Sequence, residues 1–264
     1  MGPQAEVSTI VDCVQAAERS GVFEGAFVVD HLCVPQEASE GSDGRYFEAL
    51  TTLAFLAGGT SRIRIGVSVL IAPYRPSLLV AKQVATIQEL SGGRLILGVG
   101  VGYIDGEFKA LGVSRKRRGA LTDELLETIY RVFEQDVTES NGQPFVFSPR
   151  PARPLIWVGG RGVRTIERAA RYGDAYHPIN LTDDELRERS ARVRELAAEY
   201  GRPAPGLALY AGFDGEVSPL VDRLGVLGEI GVDDVVIYFH RYADGGAFRE
   251  RVSQFTEEVA PHFT

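Results

Sequence analysis

Lysine, histidine and cysteine are all scarce in this chain of 264 residues. The lysines are Lys82, Lys109 and Lys116. None follows a segment that reads as a strand, which disfavours Schiff-base chemistry and leaves no candidate for a carboxylated lysine. Two cysteines, Cys13 and Cys33, are too few for a disulfide framework, and neither sits in a CxxC or Cys/His zinc pattern. Both read as reduced thiols packed like small apolar groups. No stretch of about 18 uninterrupted apolar residues occurs, so no membrane span is expected. The opening MGPQAEVSTIVDC lacks a basic start followed by a long apolar run, which argues against a signal peptide. The expectation is a cytoplasmic protein.

Positive charge is also in deficit. Lys plus Arg is 28 against 36 Asp plus Glu, a formal net charge of −8. A nucleic-acid binder needs a concentrated basic face, so none is expected; one anionic ligand in a local basic pocket remains compatible. The length suits one α/β barrel, which typically runs to about 250 residues.

What is present is an alternation of two periods. Val7, Ile10, Val11, Val14 and Ala17 recur at helical spacing before Gly21. Short apolar runs, Ala26–Val29, Ile63–Leu70, Leu95–Val101, Leu155–Val158, Ala175–Ile179, Leu207–Ala211 and Val235–Phe239, read as strands. Helical stripes separate them, including a charged helix opened by the capping box Thr182-Asp183-Asp184-Glu185. Near-continuous apolar strands are those of a parallel sheet covered on both faces. Seven strands and eight helices, beginning with a helix, predict a (β/α)8 TIM barrel that lacks its first strand or shortens it to a stub near residues 3–7. Residues 137–153 read as an irregular excursion within a single domain spanning 1–264.

In such a barrel, chemistry sits at the C-terminal ends of strands. Asp30 and His31 follow the first apolar run, Ser68 and Val69 lie in the next, and Gly98-Val99-Gly100-Val101-Gly102-Tyr103 closes the third. His177 and His240 follow later strands. For these two, a plain loop hydrogen bond stands level with a functional role; for Asp30-His31 the functional reading is stronger, with a structural role for Asp30 kept open. Gly159-Gly160-Arg161-Gly162 leads from strand to helix and offers backbone N–H groups to an anion, with Arg161 and Arg164 adding charge. It is no Walker A loop, and the GxGxG at Gly98–Gly102 lacks the remainder of a dinucleotide fingerprint. Those glycines read instead as room for a flat ring against the strand. Glu107, Arg117, Arg118, Asp123 and Glu124 read mostly as a solvated helix face.

The runs VVDHLCVP, RIRIGVSVL, PYRPSLLVAKQVATIQELSGGRLILGVGVGY and IWVGGRGVRTIERAARYGDAY resemble the luciferase-like family of flavin and F420 enzymes, nearest its F420-dependent oxidoreductases. The resemblance implies a TIM barrel and a non-proline cis peptide at Ser68-Val69. It implies that Asp30 contacts the ring or its polyol and that His31 is the acid/base. It also implies a phosphate site at Gly159, Gly160 and Arg161, with Gly100, Val101, Gly102 and Tyr103 about the ring. Family members that act on sugar phosphates carry an acidic residue at the place of Val101, which disfavours such substrates. The implied activity is hydride transfer between F420 and a small organic substrate; a homodimer is compatible. An FMN-dependent monooxygenase, a non-catalytic cofactor-binding or partner barrel, and a metal hydrolase using His31, His177 and His240 remain alternatives. No HxH pair supports the last.

Overall fold

The computed structural model describes residues 6–40, 42–239 and 244–263. Parallel strands alternate with helices throughout, the α/β barrel class expected from the sequence. By internal contacts the chain divides into two compact units, one essentially Val28–Ile156, the other Gln4–Phe27 with Trp157–Thr264. No described helix is long and apolar enough to cross a membrane.

The first unit holds α2 (Ala49–Gly59), β2 (Arg64–Ile71), α3 (Ser77–Leu90), β3 (Leu95–Gly100), α4 (Asp105–Ala110) and α5 (Arg118–Glu134). Strands β2 and β3 run parallel, with Ile65 opposite Leu95 and Val67 opposite Leu97. The register then slips, so that Leu70 faces Val99 and Ile71 faces Gly100. Ser68 and Val69 occupy the resulting bulge. Every residue of β3 is buried, as its uninterrupted apolar run required.

Residues 137–153 are more ordered than the sequence suggested. Val137–Ser140 (β4) and Gln143–Val146 (β5) pair antiparallel across Asn141-Gly142, whose φ angles are 50° and 76°. An Asn-Gly pair between β-capable segments favours this two-residue turn, although the surrounding prolines make the stretch read as irregular. A second difference is α4, whose six residues fall below the length at which helical periodicity is easily read.

The LSGGR motif proves to be structural. Arg94 donates to five acceptors: Ser91 O at 2.7 Å, Thr60 Oγ1 and Ile63 O at 2.8 Å, and Ala57 O and Thr60 O at 3.0 Å. It thereby satisfies carbonyls at the end of α2, where the helix leaves them without intrahelical partners. Gln88 adds to the same corner, accepting from Leu95 N at 3.1 Å and donating to Ala152 O at 3.1 Å.

The second unit comprises α1 (Val7–Ser20), β1 (Gly25–Val28) up to its last residue, and β6 (Leu155–Gly159) from Trp157. It continues with α6 (Val163–Tyr172), β7 (Ala175–His177), α7 (Asp183–Glu199), β8 (Gly206–Phe213), α8 (Val217–Ile230), β9 (Asp234–Phe239) and α9 (Gly245–Gln254). Strands β6 to β9 pair in chain order, all parallel. The capping box at α7 forms as read: Glu185 N donates to Thr182 Oγ1 at 3.3 Å and Thr182 N to Glu185 Oε2 at 2.9 Å. Among the described residues no strand precedes α1; the stub expected near residues 3–7 falls mostly outside them, and Val7 is already helical.

Arg94→Lys keeps the charge but cannot reach five acceptors. It should destabilise the fold by about 2–4 kcal/mol, read as a lower urea midpoint at unchanged slope.

Candidate active site

The loop after β1 carries two side chains that are held in different ways. Asp30 is almost fully buried, 2% exposed. Its Oδ2 accepts from Ile71 N at 2.8 Å and from Arg75 Nη1 at 2.8 Å, and its Oδ1 from Arg75 Nη2 at 2.7 Å. Arg75 also donates to Glu48 Oε1 at 2.6 Å, and Glu48 caps α2 by accepting from Thr51 N at 2.7 Å. Burial alone would weaken both charges. For Arg75, hydrogen bonds and the charges of Asp30 and Glu48 outweigh it and raise the pKa. For Glu48, the Thr51 bonds and Arg75 outweigh it and lower the pKa. Both groups are therefore ionised at neutral pH.

His31 faces a different carboxylate. Its Nδ1 lies 2.9 Å from Glu107 Oε2, with the histidine side chain 16% exposed and that of Glu107 fully buried. Glu107 Oε1 accepts from Leu32 N at 3.0 Å and Cys33 N at 3.3 Å, and Oε2 accepts from the Tyr74 hydroxyl at 3.1 Å. Tyr74 stays protonated to donate, because burial and then the Glu107 charge raise its pKa. The carboxylate favours the Nδ1–H tautomer of His31, which leaves Nε2 as the basic nitrogen. The ring rests against Tyr46, centroids 4.9 Å apart.

Glu107 is the residue that sequence reading misplaced as a solvated charge. The signal was present: Ile104, Phe108 and Leu111 at helical spacing put Glu107 on the same, inward face. Gly106 permits the arrangement, since a Cβ there would lie 2.1 Å from Pro35 Cγ and push the His31–Pro35 loop away from α4. Arg75 and Tyr74, within the stretch PYRPS, were likewise passed over. Their roles depend on partners 45 and 33 residues distant, beyond any local pattern.

At the β2 bulge, the Ser68-Val69 peptide is cis, as the family resemblance implied. Gly98 lies against it on β3, where a Cβ would approach Val67 O to 2.3 Å. Gly100, the last residue of β3, is buried; beyond it Val101 and Gly102 are half-buried, and Tyr103 is 71% exposed. Asp30, His31, Ser68, Val69 and Gly100–Tyr103 thus all belong to the first unit, with Asp30 tied to the end of β2 through Ile71 N.

In the second unit, Gly159 ends β6 and Gly160 donates to His177 O at 3.3 Å. Arg161 and Gly162 precede α6, and no side chain caps that helix. Arg189 on α7 donates to Arg161 O at 2.6 Å. The turn keeps N–H groups at a helix start, the property read from the sequence. His177 is fully buried, packs against Trp157 and Tyr210, and its Nδ1 lies 2.8 Å from Ala208 O. His240 lies outside the described residues. Among the described residues, no three His, Cys, Asp or Glu side chains are grouped to hold a metal ion.

Residues 1–214 match the luciferase-like monooxygenase family, and the chain belongs to it. As a member it is an oxidoreductase. An uncharacterized Mycobacterium tuberculosis protein is 31% identical over 247 residues, covering 87% of this chain and 84% of that protein. An FMNH2-dependent dimethylsulfone monooxygenase of Pseudomonas putida is 28% identical over 198 residues, 71% of this chain and 53% of that enzyme. An F420-dependent secondary alcohol dehydrogenase, solved with an F420-acetone adduct, superposes with TM-score 0.81 at 15% identity, covering 99% of this chain and 96% of the other. That likeness shows the barrel fold.

His177 provides a test of the second unit. Burial lowers its pKa below the ordinary 6.5, while its bond to the Ala208 carbonyl works in the opposite sense. The folded chain therefore resists a proton that the unfolded chain accepts, so the stabilisation is complete above about pH 6.5 and is lost as pH falls. Thermal midpoints should drop between about pH 7 and about pH 5, by at most about 1.4 kcal/mol per pH unit from this group. His177→Asn should be less stable at neutral pH and show a flatter profile; an equally steep profile would remove His177 from the account.

Proposed function

We propose that this enzyme transfers hydride between the deazaflavin F420 and a small organic alcohol or carbonyl compound, with His31 exchanging the matching proton. The observation that carries this reading is the His31–Glu107 pair. Hydride transfer to a carbonyl oxidises the donor by two electrons and leaves an alkoxide that needs a proton; the reverse direction requires a base for the hydroxyl. A histidine fixed at Nδ1 by a buried carboxylate holds or releases that proton at Nε2.

The residues suit a flat redox group. Bound F420 would supply the hydride-carrying ring carbon. Ser68, Val69, Gly100, Val101, Gly102 and Tyr103 are proposed to border the ring, with Gly98 keeping the bulge close to β3. Asp30 is engaged by Ile71 N and Arg75, which supports a positioning role: it holds the end of β2 against the loop that carries His31. In the second unit, Gly159, Gly160 and Arg161 are proposed to bind a phosphate through backbone N–H groups and one guanidinium. The F420-dependent alcohol dehydrogenase among the structural neighbours supports this choice of cofactor at the level of fold.

A second reading, an FMN-dependent monooxygenase, draws support from the Pseudomonas relative. Fluorescence titration of the purified protein with each cofactor distinguishes them: tight F420 binding with weak FMN binding is expected, and the reverse favours the monooxygenase. With F420 bound and an alcohol panel as substrate, His31→Ala should cost about 10²-fold or more in turnover while cofactor affinity holds. Glu107→Gln should lower turnover less and shift the pH–rate profile, the signature of a residue acting through His31. Unchanged turnover in His31→Ala would sink its assignment.

A further inference from the structure

A basic segment of the first unit takes no part in the proposed hydride transfer. Between Glu107 and Asp123 the sequence holds Lys109, Arg115, Lys116, Arg117 and Arg118 and no acidic residue. The remaining chain carries 23 basic against 36 acidic residues, so this segment opposes the sign of everything around it. Two of the three lysines fall here. Like charges so close repel, and a neighbouring carboxylate is the ordinary remedy. Among the described residues Arg115 has one, with its Nε 2.6 Å from Asp105 Oδ1. Among the described residues no ion pair involves Lys109, Lys116 or Arg118.

Four of these residues, with Asp105, Phe108 and Val113, line an open cavity of about 320 Å3. Phe108 and Val113 give it apolar surface, and Lys109, Arg115, Lys116 and Arg118 line it together with the Asp105 carboxylate that pairs with Arg115. Arg118 Nη1 donates to Arg115 O at 3.1 Å and Arg115 pairs with Asp105, so two of the four cations have a partner. Phe108 is 1% exposed and meets Tyr74 edge-on, centroids 5.1 Å apart. The volume is at the small end of ligand sites, and apolar walls strengthen the attraction of the surrounding charges for an anion.

We infer that this cavity binds a small organic anion bearing two or more phosphate or carboxylate charges, with its carbon body on Phe108 and Val113. Such a ligand neutralises the unpaired lysines, which a singly charged one does incompletely. The inference does not depend on the identity of the redox cofactor. One wall is α4, which also carries Glu107, so the cavity adjoins the acid/base pair without sharing its polar atoms.

The test is calorimetric titration of the whole protein with inorganic pyrophosphate, and with acetate as the singly charged control. Pyrophosphate should bind at least about tenfold more tightly than acetate, and its binding should weaken as salt rises. Lys109→Gln combined with Lys116→Gln changes only exposed side chains, so its melting curve should match the wild type. Its pyrophosphate affinity should fall about tenfold or more. Repeating the titration with saturating F420 separates two sources of the anion: displacement assigns the cavity to a charged arm of the cofactor, and unaltered binding to an independent ligand. Pyrophosphate affinity that is undetectable, equal to that of acetate, or unchanged in the double variant would overturn the inference. So would loss on Arg161→Gln alone, which places the anion at the α6 turn. Failure of F420 to bind, with the pyrophosphate result intact, would count against the redox reading and leave this site standing.

Discussion

The first unit is organised around a carboxylate that has no access to water. Glu107 is fully buried, and a bare carboxylate in that position would be prohibitively costly. Four donors converge on it: Leu32 N, Cys33 N, His31 Nδ1 and the Tyr74 hydroxyl. Each comes from a segment that the chain must bring to α4. The loop after β1 cannot swing away without stranding Glu107, and His31 cannot rotate freely without losing its partner. A single electrostatic requirement thus fixes a loop, a side-chain tautomer and the seating of a helix.

A second buried ion pair works beside it. Arg75 joins Asp30 to Glu48 and so connects the loop after β1, the end of β2 and the start of α2. Asp30 also receives Ile71 N, two residues past the bulge. Asp30 and His31 are adjacent in sequence, yet they are held by different partners: Asp30 by Ile71 N and Arg75, His31 by Glu107. The two charged networks contain no lysine. A planar guanidinium satisfies both oxygens of Asp30 and still reaches Glu48, which a point-charge ammonium does not.

The strand and helix alternation, the Thr182 capping box and the candidates Asp30, His31 and Gly159–Arg161 were all legible, because each rests on periodicity or on residues near one another in the chain. The hairpin at 137–146 was legible in principle, through Asn141-Gly142, and was obscured by neighbouring prolines. Glu107, Arg75 and Tyr74 were overlooked for a different reason. A glutamate before a basic stretch looks solvated until its neighbours are known, and burial is not a property of a local window. LSGGR lies within a run that carries the family resemblance, but the role of Arg94 in it, satisfying the carbonyls at the end of α2, depends on groups about 30 residues away.

The sequence by itself determined the α/β class, the family and the positions where strands end, because hydrophobic periodicity and glycine placement are encoded locally. Tertiary structure alone decided which charges are buried and what they hold. It made Glu107 the anchor of His31 and set Arg75 against Asp30. It also placed cations of residues 109–118 along one open cavity with Asp105. The reason is physical: the cost of a charge depends on its distance from water and from its partner, and neither distance exists until the chain has folded.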